Sequence, residues 1–278
     1  MARGDERLTM AELHACLSHI GITTICKMIT KGMISGVVLH PDHSDMGQCV
    51  ACEYGKVVRK PIGNICEHNR STMLGNEVHT DVWGPSPVQT PGKRSYYCLF
   101  TDDHTRYTCI NLMFAKSDTF SAYLEYKSWL KTQHGAAVKH LRSDCGGEYL
   151  SDEFSCHLKR NRTERKLTMH DMPEHNGIAK QLNRTLIERV RTVLHASGLP
   201  KTLWGEALLH VVWVKNRSAT QALDGKTPYE MLYGKKPHLG DLLVWGAKCW
   251  ILDHTGSKLD DHAKEGHWVG YDSESTVH

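Results

Sequence analysis

Two histidines and two cysteines carry the spacing most easily turned into chemistry. His14 and His19 have four residues between them, Cys49 and Cys52 have two, and twenty-nine residues separate the pairs. Two imidazoles and two thiolates are a complete tetrahedral ligand set for Zn²⁺, with no position left for water. A site closed in this way is structural, and metal binding then becomes folding energy. The plain alternative is a chance CxxC beside two surface histidines in a chain that holds 19 of them. The combination of both pairs favours the metal. Cys16, Cys26, Cys66 and His68 lack a matching partner set and read as buried thiols or surface imidazole.

A second chemistry needs carboxylates at strand ends. Asp81 lies in a strand-like run that closes on Val-Trp-Gly-Pro, and Asp144 ends another, just before Cys145 and the turn Gly146-Gly147. Acids placed so can converge on divalent cations. Two Mg²⁺ ions about 4 Å apart activate the attacking oxygen and stabilise the leaving one in phosphoryl transfer. Mg²⁺ demands good geometry from few protein oxygens, so at least three well-placed acids are needed. Two acids alone are unspecific. Asp102, Asp103, Glu148 and Asp152 are also at hand and read better as turn and cap residues.

The elements that must position these groups follow from periodicity. His14 to Lys31 has apolar residues at Leu17, Ile20, Ile25, Met28 and Ile29, which suits short packed helices. From about residue 74 the pattern turns to strands. SYYCLFTDD and YTCINLMF read as a hairpin around DDHTR. Ser117 is expected to cap the next helix, with Phe120, Tyr123, Leu124 and Leu130 on its buried face. VKHLRSDCGGEY and TERKLTM read as strands on either side of a short helix from Ser151 to Asn161. A long helix then ends at Ser197-Gly198, before Pro200. Its apolar face is Ile178, Leu182, Leu186, Val190 and Val193, while Lys180, Arg184 and Arg191 share another face. Such a basic stripe suits sequence-independent phosphate contacts, although periodicity alone favours a solvated polar face. A helical stretch around Trp204 to Lys215 follows, then a short helix opened by Thr227, Pro228 and Glu230. The last forty residues alternate like strands. Trp204, Trp213, Trp245, Trp250 and Trp268 read as core. The whole is a mixed α/β chain.

Composition sets outer bounds. A chain of 278 residues with 40% apolar and 23% charged residues can bury a sizeable core in two or three domains. A formal net charge of +3 permits nucleic-acid binding without arguing for it. The first residues lack the apolar segment of a signal peptide, and no run of about 20 apolar residues exists. An intracellular chain without a membrane span is expected, with its cysteines as thiols.

The motifs, taken in order, resemble the integrase region of copia-type LTR retrotransposon polyproteins. ELHACLSHIG is similar to the family's Trp-His…Gly-His-Ile motif, with Leu13 in place of Trp. CVACEYGKVVRKP is similar to its Cys-x-x-Cys-x-x-Gly-Lys segment. HTDVWGP, FTDDHTRY, LRSDCGGEY, MPEHNGIAKQLNRT, GLPKTLWGEA, GKTPYEMLYGKKP and KLDDHAKEGHWVGYD follow in family order, from about residue 12 to residue 272.

The resemblance implies a zinc-binding pre-integrase domain over residues 1–69 and an RNase H-like catalytic core over 70–198. A helical extension over 199–240 and a small β-barrel-like segment over 241–278 complete it. It implies 3′-end processing of element DNA and strand transfer into target DNA by a D,D-35-E triad with Mg²⁺ or Mn²⁺. It further implies a homo-oligomer working on DNA in the nucleus and cytoplasm. Asp81 and Asp144 match the first two acids. The third position, with thirty-five residues between it and Asp144, is Lys180, with the surrounding motif in register. Gln181 also departs from the usual Arg. Glu174 precedes the helix, and Glu188 lies about 12 Å along it, so neither is expected to reach the metals. A lysine in place of a ligand repels a second cation, so loss of activity is expected. Bordering such a site, Lys180, Arg184 and Arg191 become expected DNA contacts. The alternatives are a non-catalytic nucleic-acid-binding relic or host-recruited protein, or a zinc-stabilised interaction protein without DNA.

Overall fold

The computed structural model describes residues 7–40, 46–56, 70–167, 177–240, 242–252 and 262–271. Cys66, His68 and Glu174 lie outside them. The amino-terminal elements are short. Helix α1 (Met10–Cys16) opens with a reciprocal capping box between Thr9 and Glu12, and α2 (Ile22–Thr30) follows after a tight turn. Helix α3 (Val50–Lys56) carries Cys52. Leu17, Ile20, Ile25 and Met28 are fully buried, as their spacing predicts.

Five strands form one mixed sheet in the order β3-β2-β1-β4-β5. Strand β1 (Glu77–Trp83) is central; β2 (Tyr96–Asp102) and β3 (Thr108–Met113) run antiparallel beside it as the expected hairpin. Strand β4 (His140–Ser143) pairs parallel to β1, and β5 (Glu164–Leu167) parallel to β4. The parallel connection from β4 to β5 runs through α5 (Asp152–Arg160), whose first turn is capped by Ser151. Alternation along β2 divides the core. Cys98 and Phe100 face a cluster with Tyr123, Tyr126 and Leu130 of α4 (Thr119–His134) and with Phe154 and Leu158 of α5. Tyr97 and Leu99 face the other way, onto α6 (Gly177–Ser197) and α7 (Trp204–Arg217).

Two expectations for α4 need correction. Its N-terminus is shaped by Asp118, whose carboxylate accepts from the backbone N–H of Phe114 and Ala115 at 3.0 and 3.1 Å, and Ser117 sits in the preceding 3₁₀ turn. Leu124 is exposed, and Ala122 and Tyr126 take the buried face instead. Asp102 and Asp103 are turn-forming acids as read: Asp102 accepts from the N–H of Thr105 and of Gly75.

The amino-terminal helices share their apolar cluster with Val214 of α7 and with Leu239 and Leu242. Helix α8 (Pro228–Tyr233) has Thr227 accepting from the Glu230 N–H at 3.1 Å, the anticipated cap. Among the described residues the carboxy-terminal part is a two-stranded antiparallel ribbon, β6 (Lys248–Leu252) and β7 (Ala263–His267). Trp204 and Trp245 are core, but Trp250 is 73% exposed on that ribbon, contrary to the reading of all five tryptophans as core. Among the described residues the ribbon is mostly exposed, so it offers Trp250 no core.

Candidate metal centres

The two cysteines and two histidines meet. Their ligand atoms all lie within 4.8 Å of one another. His14 Nε2 is 3.2 Å from Cys52 Sγ, and His19 Nδ1 is 3.3 Å from Cys49 Sγ. A tetrahedron with ordinary Zn–N and Zn–S bonds separates neighbouring donors by roughly 3.3–3.8 Å, so the two His–Cys separations are close to those around one ion and the wider ones would have to close by up to about 1 Å. Local folding makes this possible. His14 sits in the last turn of α1, and Ser18 and His19 adopt left-handed φ values of 53° and 58°, which swing His19 back over that helix. His14 Nδ1 lies 2.8 Å from the Ile20 carbonyl, a bond in which it donates and which leaves Nε2 free to face the thiolates. Cys49 and Cys52 straddle the start of α3, where the Glu53 N–H bonds the Cys49 carbonyl. Cys16 is buried and Cys26 exposed, neither among the four.

The carboxylates meet through sheet register. Glu77, Val78 and His79 of β1 pair with His140, Leu141 and Arg142 of β4. Continuing that parallel register by two residues sets Asp81 opposite Asp144 at the carboxyl ends of both strands. Asp81 is only 8% exposed. Burial pushes its carboxyl up to about 6, and the neighbouring charge of Asp144 adds to this. The Asn183 hydrogen bond, then Lys180, act in the opposite direction. Asp144 is half-buried and accepts the Gly146 N–H at 3.1 Å, so the glycine turn after β4 orients it. Lys180 is exposed in the first turn of α6 and near enough for its ammonium to favour the Asp81 anion. Glu188, two turns on, is engaged by Arg184 at 3.0 Å.

One site residue escaped the sequence reading. Asn183, buried on α6, donates from Nδ2 to Asp81 Oδ2 at 2.8 Å. Its own Oδ1 accepts from Tyr97 OH at 2.8 Å, which fixes the orientation of the amide. Tyr97 is in turn stacked on Trp83. The signal was present: Ala179, Asn183, Leu186 and Val190 share one buried face, so an asparagine occupies an apolar phase of the helix. A polar group there must find a buried partner.

The basic residues of α6 are surface groups. Lys180, Arg184 and Arg191 are all exposed, and Arg191 Nε is 3.4 Å from the Ile187 carbonyl. A cavity of about 830 Å³ between α4, α7 and the β3 edge holds none of the candidate metal or DNA residues. No helix among the described residues is long and apolar enough to cross a membrane.

No protein-family profile matches the chain. Curated proteins do. The retrovirus-related Pol polyprotein from transposon TNT 1-94 of Nicotiana tabacum is 28% identical over 260 residues, or 93% of this chain. The Pol polyproteins from transposons RE1 and RE2 of Arabidopsis thaliana are each 29% identical, over 97% and 95% of it. The chain spans only 18–19% of the length of these relatives. Among solved structures, the integrase catalytic core domain of HTLV-2 in complex with magnesium superposes with a TM-score of 0.44 and 19% identity, over 59% of this chain and 99% of that one. The simian T-cell lymphotropic virus intasome in complex with the PP2A regulatory subunit B56 gamma gives 0.49 and 16%, over 93% and 87%. The resemblance expected from the ordered motifs is borne out by sequence: the chain is similar, over nearly its whole length, to a stretch of the retrovirus-related Pol polyproteins of plant transposons.

Proposed function

We propose that this chain is an integrase-type segment serving DNA integration, and that Lys180 leaves its strand transfer impaired or absent. The observation that carries the reading is the opposition of Asp81 and Asp144 across β1 and β4, with Lys180 of α6 beside them. Two acids at the carboxyl ends of parallel strands fit the holding of one divalent cation, Mg²⁺ or Mn²⁺. When bound there, such ions supply Lewis acidity and a clamp on the reacting phosphate oxygens. Asp81 would offer the oxygen that Asn183 leaves free, and Asp144 would be steadied by the Gly146 N–H. The position that the family fills with a third acid carries an ammonium, which competes with metal for the same two carboxylates. His14, His19, Cys49 and Cys52 would hold a structural Zn²⁺. Lys180, Arg184 and Arg191 would contact DNA phosphates, and a homo-oligomer on element ends and target DNA, in nucleus and cytoplasm, is the setting in which such a segment works.

The test is processing and joining of a short duplex with Mn²⁺, comparing the chain as it stands with Lys180→Glu. Activity at background in the former and measurable in the latter is expected. Robust strand transfer by the original chain would overturn the assignment of Lys180 as a disabling substitution. A non-catalytic DNA-binding role is the second reading, favoured by the exposed basic residues of α6. Background activity in both proteins, with salt-dependent DNA binding retained, would decide for it.

A further inference from the structure

We propose that the zinc-binding segment acts as a seat for the helix that closes the carboxylate site, through contact between Gly55 and Thr192. The proposal rests on the zinc reading above. Helix α3 begins at the cysteine pair and packs along α6. Gly55 is buried, and Thr192 on α6 has no exposed surface. A Cβ at Gly55 would overlap Thr192 Oγ1 and lie 2.8 Å from its Cβ and 2.9 Å from its Cα. Such separations are inaccessible to real side chains, so only glycine lets the two backbones come this close. One residue earlier, the Tyr54 ring meets His195 at 4.8 Å between centroids. The contact thus covers two successive turns of α6, at Thr192 and His195.

The consequence follows from what each helix holds. Cys49 and Cys52 fix the start of α3 only when both sulfurs are held with His14 and His19. A seven-residue helix is too short to be stable alone, so its direction depends on what holds its ends and its packed face. Helix α6 carries Lys180 and Asn183, and Asn183 holds Asp81. The metal ligands and the helix that orients Asp81 are therefore joined by one close-packed crossing. Gly55 and Thr192 are positioning residues in this arrangement, since neither touches the carboxylates. Coupling of this kind is reciprocal: whatever zinc does for the seating of α6, the seat does for zinc affinity.

The experiment uses the full chain. Zinc affinity is measured by chelator competition, and backbone hydrogen exchange is followed for residues 177–197 with β1 and β2 as internal reference. Chelation should raise exchange in α6 around Thr192 and His195 while β1 and β2 stay protected. Gly55→Val should lower zinc affinity by about tenfold and reproduce the α6 exchange pattern with zinc present. Thr192→Gly, which removes the Oγ1 and Cβ that the new Cβ meets but leaves the Cα at 2.9 Å, should recover at most a small part of both in the Gly55→Val background. A merely destabilising effect would not be rescued by a second helix-weakening change. Unchanged zinc affinity in Gly55→Val, or exchange that rises equally in β1 and β2, would each overturn the seat. If the original chain binds no zinc, the ligand assignment fails first. That result is read directly from metal content, separately from the variants.

Discussion

The zinc cluster and the carboxylate cluster are built by opposite means. The first collects four candidate ligands from two short segments twenty-nine residues apart, and every member of the set is present. Its ligands satisfy one another's geometry through a left-handed turn and a helix start. The second gathers groups from β1, β4 and α6, whose proximity depends on sheet register and helix packing over a hundred residues. There an acid, buried and close to a second acid, is balanced by an amide, an exposed ammonium and the Val82 backbone N–H. A closed structural site tolerates no missing ligand, because its metal is part of the fold. An open one tolerates a lost ligand as folded protein, because the sheet that presents it stands on its own core.

The largest effect should come from breaking the closed site. Chelation, or Cys49→Ser, should abolish zinc binding and remove the α1–α3 signature from a thermal melt, while the sheet unfolds in its own later transition. The free energy at stake is on the order of 10 kcal/mol for structural zinc. A folded protein whose zinc content is near zero, and unchanged by Cys49→Ser, would sink the assignment.

A smaller effect is expected at the open site. Burial raises the Asp81 carboxyl to about 6, above its value in the unfolded chain. A raised carboxyl favours the protonated folded state, so its contribution is intact below about pH 4 and lost as pH rises through about 6. Above that, the ionised Asp81 costs the metal-free fold up to about 3 kcal/mol. Asp81→Asn should therefore raise the melting temperature at pH 7.5 and leave it unaltered at pH 4. Lys180→Glu should do the reverse without metal, by adding a like charge, and should acquire stabilisation by Mn²⁺. Equal melting temperatures for Asp81→Asn and the original chain at pH 7.5 would show that the pair is already neutralised.

How far each site could be read from sequence follows the same division. The gathering of His14, His19, Cys49 and Cys52 was legible because the spacing within each pair is local. The acids were legible as strand ends, but their meeting was not, because register is set by which strands pair. The hairpin and the long helix were plain from period and turn chemistry. The capping role of Asp118 was missed because two acceptors, Ser117 and Asp118, stand side by side and only the loop path chooses between them. Asn183 was legible only in retrospect, as a polar residue in an apolar phase. The exposure of Trp250 was hidden, since alternation marks a strand without saying what covers it.

The smallest effect concerns DNA. Arg184 is half-exposed and bonded to Glu188 at 3.0 Å, one turn along α6. An exposed pair of this geometry is worth only about 0.3–0.5 kcal/mol, so the guanidinium can leave it for a phosphate. Arg184→Ala removes one such contact and also exposes the Glu188 charge to the duplex. The salt slope of binding should flatten by about one unit, with affinity falling similarly for all sequences. Glu188→Gln should strengthen binding, because Arg184 then has no competing partner. The two variants acting in opposite directions is the informative result, since loss of helix stability would weaken binding in both. Binding that ignores salt, or an Arg184→Ala protein with an unaltered slope, would remove α6 from the DNA-contacting surface.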